Sequence, residues 1–120
     1  MQQAESEGRR YASFAEFYPF YLSEHANRTS RRLHFAGTSL ALLCLLHAFA
    51  TLNFWWVLVG VVQGYAFAWI GHFFFEKNRP ATFTYPWWSL RGDLRMYRLM
   101  WMARMEPELA RALSLYPARA

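Results

Sequence analysis

In GHFFFEKNRP, residues 71–80, His72 and Glu76 stand four positions apart where an apolar stretch gives way to charge. On a helix that spacing stacks both side chains on one face. A neutral imidazole offers a lone pair and a carboxylate offers oxygen, so the pair is suited to gripping a cation. Two more histidines bear on it. His34 lies nineteen positions before Asn53, and His72 lies nineteen after it. If the chain doubles back at Asn53 as two antiparallel helices, both imidazoles reach the same depth. His25 precedes the first of those helices by a few residues and can fold back over the same rim. Three imidazoles and a carboxylate then converge from separate segments. His47 is an internal control. It lies thirteen residues beyond His34, about 20 Å along a helix, and belongs near the far turn.

The donor set narrows the chemistry. Imidazole with carboxylate accommodates zinc, iron or manganese, and the lack of nearby cysteine argues against a structural thiolate zinc site. Several histidines plus a carboxylate with vacant positions is also the ligand type of non-haem Fe(II) oxygenases. Zinc-dependent lipid hydrolysis stays open on these residues alone. The expected metal ligands are His25, His34 and His72, with Glu76 as a fourth. Arg79 or Arg28 could hold a carboxylate head through paired hydrogen bonds, and Asn27 reads as a helix cap or a substrate contact. Each has a plainer reading: a histidine at a water boundary, or Glu76 paired with Lys77, Arg79 or Arg28, where surface ion pairs contribute little.

The elements that must position these groups are legible from charge. Residues 33–75 contain no Asp, Glu, Lys or Arg. A spanning helix needs about 20 apolar residues, so this run suffices for two. A chain of 120 residues is one domain with too little protein to bury such a hairpin. The apolar run starts too far in and is too long for a secretory signal. The single Cys44 excludes an internal disulfide. Net charge is +5, but the arginines crowd the ends of the apolar run among aromatics, a pattern for anionic lipid rather than nucleic acid.

The expected fold is all-α: an apolar helical hairpin over about 30–77, flanked by amphipathic interfacial helices. Residues 1–10 read as a flexible N-terminus, 11–104 as a single membrane-embedded domain, and 105–120 as a tail with a short helix. From Tyr11 onward, Phe14, Phe17, Tyr18 and Tyr21 recur at helical spacing, and Pro19 kinks or restarts that helix. Helix one starts near Ser30, TLNF makes the turn, and Pro80 stops helix two. Gly37, Thr38 and Ser39 supply a small, weakly polar patch for close helix contact, and Gly60, Gly64 and Gly71 on helix two offer close-approach points. Residues 87–104 form a basic amphipathic helix anchored by Trp87, Trp88 and Tyr97. Arg28, Arg31 and Arg32 before the hairpin and Lys77 and Arg79 after it place both ends on the cytoplasmic side, with a bacterial inner membrane as the expected location.

Three segments carry a resemblance. The EHxN run with His25 and Asn27, the HxxG run with His34 and Gly37, and GHxxxEKxRPA (Gly71, His72, Glu76, Lys77, Arg79, Pro80, Ala81) resemble the small membrane family typified by the fungal 2-hydroxy fatty acid dioxygenase. The resemblance covers about residues 13–100. It implies an integral membrane enzyme that uses Fe(II) and O₂ without 2-oxoglutarate. A 2-hydroxy fatty acid would lose its carboxyl carbon as CO₂ and become one carbon shorter. The family's important histidines would map onto His25, His34 and His72. The fungal protein has a longer apolar region and a further histidine without a counterpart here. A competing class is a non-enzymatic helical module that shapes or senses the bilayer.

Overall fold

Helices begin where capping side chains sit. In the computed structural model, which describes residues 11–117, the first helix, α1 (Phe14–Ser23), opens on Ser13. The Ser13 hydroxyl accepts the Glu16 N–H at 3.2 Å while the Glu16 carboxylate accepts the Ala12 N–H at 3.0 Å, so two orphan donors are met reciprocally. Pro19 lies inside α1, which nevertheless runs on unbroken to Ser23. The expected flexible segment 1–10 lies outside the described residues.

Contacts divide the chain into two compact units, residues 27–77 and residues 1–26 with 78–120. The first is the hairpin. Asn27 caps α2 (Arg28–Thr51) by accepting the Ser30 N–H at 3.1 Å, which starts the helix two residues before Ser30. Leu52 then turns left-handed (φ 55°), and Asn53 accepts the Trp55 N–H at 3.3 Å to launch α3 (Trp55–Ile70). Residues Gly71–Glu76 continue it as a π-helical turn, closed by Lys77 at φ 60°, whose N–H donates to the His72 carbonyl. Helix two therefore ends at a left-handed lysine, three residues before Pro80.

Glycines let the two helices meet. A Cβ on Gly37 would stand 2.9 Å from the Phe67 Cβ, and one on Gly71 would stand 2.8 Å from the Ser30 hydroxyl and 3.3 Å from the Ser30 Cα. Toward the Asn53 turn from these points, the Gln63 amide donates to the Gly37 and Gly60 carbonyls, each at 2.9 Å. Elsewhere the hairpin faces outward: Leu43, Leu46, Phe49, Trp55 and Val62 are exposed. The segments Arg28–Thr51 and Trp55–Glu76, of 24 and 22 residues, are by length and composition long and apolar enough to cross a membrane.

The other unit contains α1, α4 (Pro86–Trp101) and α5 (Met105–Leu115). Pro86 occupies the first turn of α4, where a missing N–H costs nothing. Ala103 (φ 55°) ends that helix, with the Arg104 N–H returning to the Leu99 carbonyl at 2.9 Å in a Schellman arrangement. That helix therefore stops at Trp101, three residues short of the 87–104 expected, and α5 follows as a separate helix. The aromatics of α1, read as an interfacial face, form a protein core instead. Phe17 and Tyr21 are 0 % exposed and share a cluster with Met96, Leu99, Met105, Leu109 and Ala112. The outward side of α4 is apolar, with Trp87, Leu90, Leu94 and Trp101 exposed.

Candidate metal centre

The π turn decides where His72 points. An ordinary α-helix advances 100° per residue; a π turn widens the helix locally and re-aims the side chains it carries, often at functional sites. Gly71, just before His72, lets this turn lie against Ser30 at the N-terminal end of α2. One turn further along α2 is His34. The two rings meet edge to face, with centroids 5.0 Å apart at 88°, and both residues are buried.

His34 and His25 are oriented in the same way. His34 Nδ1 lies 3.0 Å from the Ser30 carbonyl, and His25 Nδ1 lies 2.7 Å from the Tyr21 carbonyl, each one helical turn back. A carbonyl oxygen only accepts, so Nδ1 carries the hydrogen in both rings and Nε2 carries the lone pair. Imidazoles that bind metals are commonly fixed by such a bond to backbone. His25, His34 and His72 are all buried, and each offers one ring nitrogen to a metal. Three buried histidines of this kind could hold a metal ion. The donor set fits a divalent transition metal: neutral nitrogens, two with defined tautomers and no thiolate among them.

The remaining expected residues are placed variously. Glu76 is outside that group; its Oε1 accepts the Asn27 N–H at 2.8 Å, tying the end of the π turn to the start of α2. Asn27 is thereby engaged twice, as cap and as donor. Arg28 and Arg79 are exposed, and the Arg79 guanidinium lies over the Phe83 ring at 5.0 Å. His47 is exposed near the Asn53 turn, its ring 4.8 Å from that of Trp56.

Several polar residues escaped the sequence reading. Arg31, one turn before His34, is buried (5 % exposed), which is costly for a guanidinium. Glu24, beside His25, is also buried, and the Asn78 amide donates to its carbonyl at 2.9 Å and its Oε2 at 2.8 Å. Their adjacency to His34 and His25 was the available signal. In the α1–α4 core the Tyr21 hydroxyl donates to Asp93. Burial pushes Asp93 up to about 7, against the opposing pull of that bond, and holds Tyr21 well above its ordinary value. Burial also raises Tyr18 to about 12.

Among known families, residues 11–105 match the Mpo1-like family, described as 2-hydroxy-palmitic acid dioxygenase Mpo1-like. No curated protein and no solved structure matches the chain significantly.

Proposed function

The chain belongs to the Mpo1-like family, and from that premise we propose that it is a membrane-embedded, Fe(II)-dependent dioxygenase that shortens 2-hydroxy fatty acids by one carbon. The grouping of buried His25, His34 and His72 carries the metal part of this reading. The reaction balances without a co-substrate: RCH(OH)COOH + O₂ gives RCOOH + CO₂ + H₂O. The hydroxy acid supplies all four electrons that O₂ takes up, so neither 2-oxoglutarate nor a reductant is required.

Bound Fe(II) supplies the redox chemistry that ordinary side chains lack. The protein's part is to hold and exclude. His25, His34 and His72 provide nitrogen ligands, and the Tyr21 and Ser30 carbonyls keep His25 and His34 in the ligating tautomer. Glu76 braces the π turn that carries His72. Arg79 or Arg28, both exposed, holds the substrate carboxylate through paired hydrogen bonds with the capping Asn27 as a further contact, and Arg31, buried one turn before His34, adds positive charge to that end of the hairpin. Apolar helix walls receive the acyl tail and keep water low.

Membrane insertion is supported by exposure. Only 17 % of each apolar window is buried, whereas the core helix of a soluble protein is mostly covered. The flanking arginines and Lys77 orient both ends of the hairpin toward the cytoplasm.

The test is turnover of carboxyl-labelled 2-hydroxypalmitate by detergent-purified protein reconstituted anaerobically with Fe(II). Release of labelled CO₂ with a fifteen-carbon acid is expected from wild type and His47→Ala and not from His72→Ala. Equal activity in both variants would refute the assignment. Stoichiometric zinc that survives reconstitution would point to a hydrolase, and no bound metal to a non-enzymatic module.

A further inference from the structure

The α1–α4 core contains an arrangement that aromatic packing alone does not require. Gly92 is buried, and a Cβ there would lie 3.1 Å from both Cε1 and Cζ of Tyr21. The missing side chain leaves a slot in which the phenol ring lies against α4. The next residue, Asp93, accepts the phenol hydrogen through Oδ1. Phe17 and Tyr18 flank the ring, with centroids 5.9 Å away in each case. Slot, hydrogen bond and neighbouring rings together fix its tilt and depth.

Tyr21 in turn touches His25 in two places. Its ring centroid lies 4.3 Å from the imidazole centroid, and its carbonyl accepts the Nδ1 hydrogen at 2.7 Å. A carboxyl group among aromatic rings is expensive to bury, so an apolar pair would serve packing better than Tyr21 and Asp93 do. What the polar pair adds is direction. The hydrogen bond ties the phenol to one point on α4, and through the phenol it ties His25.

We infer that Gly92, Asp93 and Tyr21 are positioning residues that hold the His25 ring for metal ligation. This rests on the reading of His25 as a ligand. Groups that orient a ligating ring tune its metal affinity, by about 10–100-fold where they bond the ring directly; Tyr21 and Asp93 act on His25 through the ring contact and the placement of the Tyr21 carbonyl.

The experiment is Co(II) titration of the metal-free full-length protein in detergent, followed by its visible d–d absorption, with helix content measured in parallel. Tyr21→Phe and Asp93→Ala should each bind Co(II) about 10–100-fold more weakly, with an altered absorption envelope and unchanged helix content. The double variant should be no weaker than the worse single one, because both remove one strut. Asp93→Asn keeps an acceptor oxygen and should restore binding and spectrum. Gly92→Ala, which removes no polar group but crowds the ring, should shift the spectrum in the same sense and covers the case in which a polar variant fails to fold. Folded Tyr21→Phe and Asp93→Ala proteins that bind Co(II) as wild type does would overturn the inference. A wild type that binds no Co(II) would instead overturn the metal reading beneath it.

Discussion

Gly71→Ala is the substitution whose cost follows most directly from the geometry. The added methyl carbon would stand 2.8 Å from the Ser30 hydroxyl and 3.3 Å from both the Cα and Cβ of Ser30. A hydroxyl at the end of a flexible chain could step aside. Ser30 cannot, since it is fully buried and its backbone stands directly behind the hydroxyl. The start of the π turn must therefore move off α2 by a few tenths of an ångström, an overpacking that costs about 1–3 kcal/mol. His72 is the next residue, so the same displacement opens its contact with His34.

Gly64→Ala is the matched control. Its Cβ would meet nothing closer than 3.7 Å, ordinary contact, although both glycines lie on the same helical stretch. The assay is reversible unfolding in mixed detergent micelles, paired with metal affinity. Gly71→Ala should lose stability by about 1–3 kcal/mol and bind metal more weakly, and Gly64→Ala should match wild type in both. Identical behaviour of the two variants would refute the claim that the Ser30–Gly71 approach sets the position of His72.

Asp93 makes stability pH-dependent. Its folded value, about 7 against 3.8, means the folded state holds a proton that the unfolded state has released. Stability should thus fall as pH rises from about 4 to about 7, by at most about 4 kcal/mol. Asp93→Asn should flatten that part of the profile; a slope that persists in the variant contradicts the assignment. Topology is testable with a single thiol: in a Cys44→Ser background, a cysteine at Asn53 should react with a membrane-impermeant reagent from the side opposite the termini, and reaction from the cytoplasmic side would reverse the orientation.

How far the sequence revealed this depends on the kind of signal. The hairpin was legible because residues 33–75 lack formal charge and Asn53 interrupts the apolar run. The meeting of His34 and His72 followed from their equal distance to that turn. The π turn was not legible, since a four-residue spacing reads as α-helix whichever winding the chain adopts. The aromatic periodicity of α1 was clear, but its destination was not: a face of Phe and Tyr looks alike whether it meets lipid or, as here, Met96, Leu99 and Leu109. Arg31 stood out only as a flanking charge and Glu24 not at all, because only tertiary contact buries them. Asp93 was hidden for the same reason, its role depending on a slot that the neighbouring glycine creates.

X-ray absorption at the iron edge of the anaerobically loaded protein tests the central claim most directly. Three imidazole nitrogens in the first shell are expected in wild type, with one lost in each of His25→Ala, His34→Ala and His72→Ala and none lost in His47→Ala. A first shell without imidazole scattering, or one unchanged by all three substitutions, would contradict a centre built from these histidines.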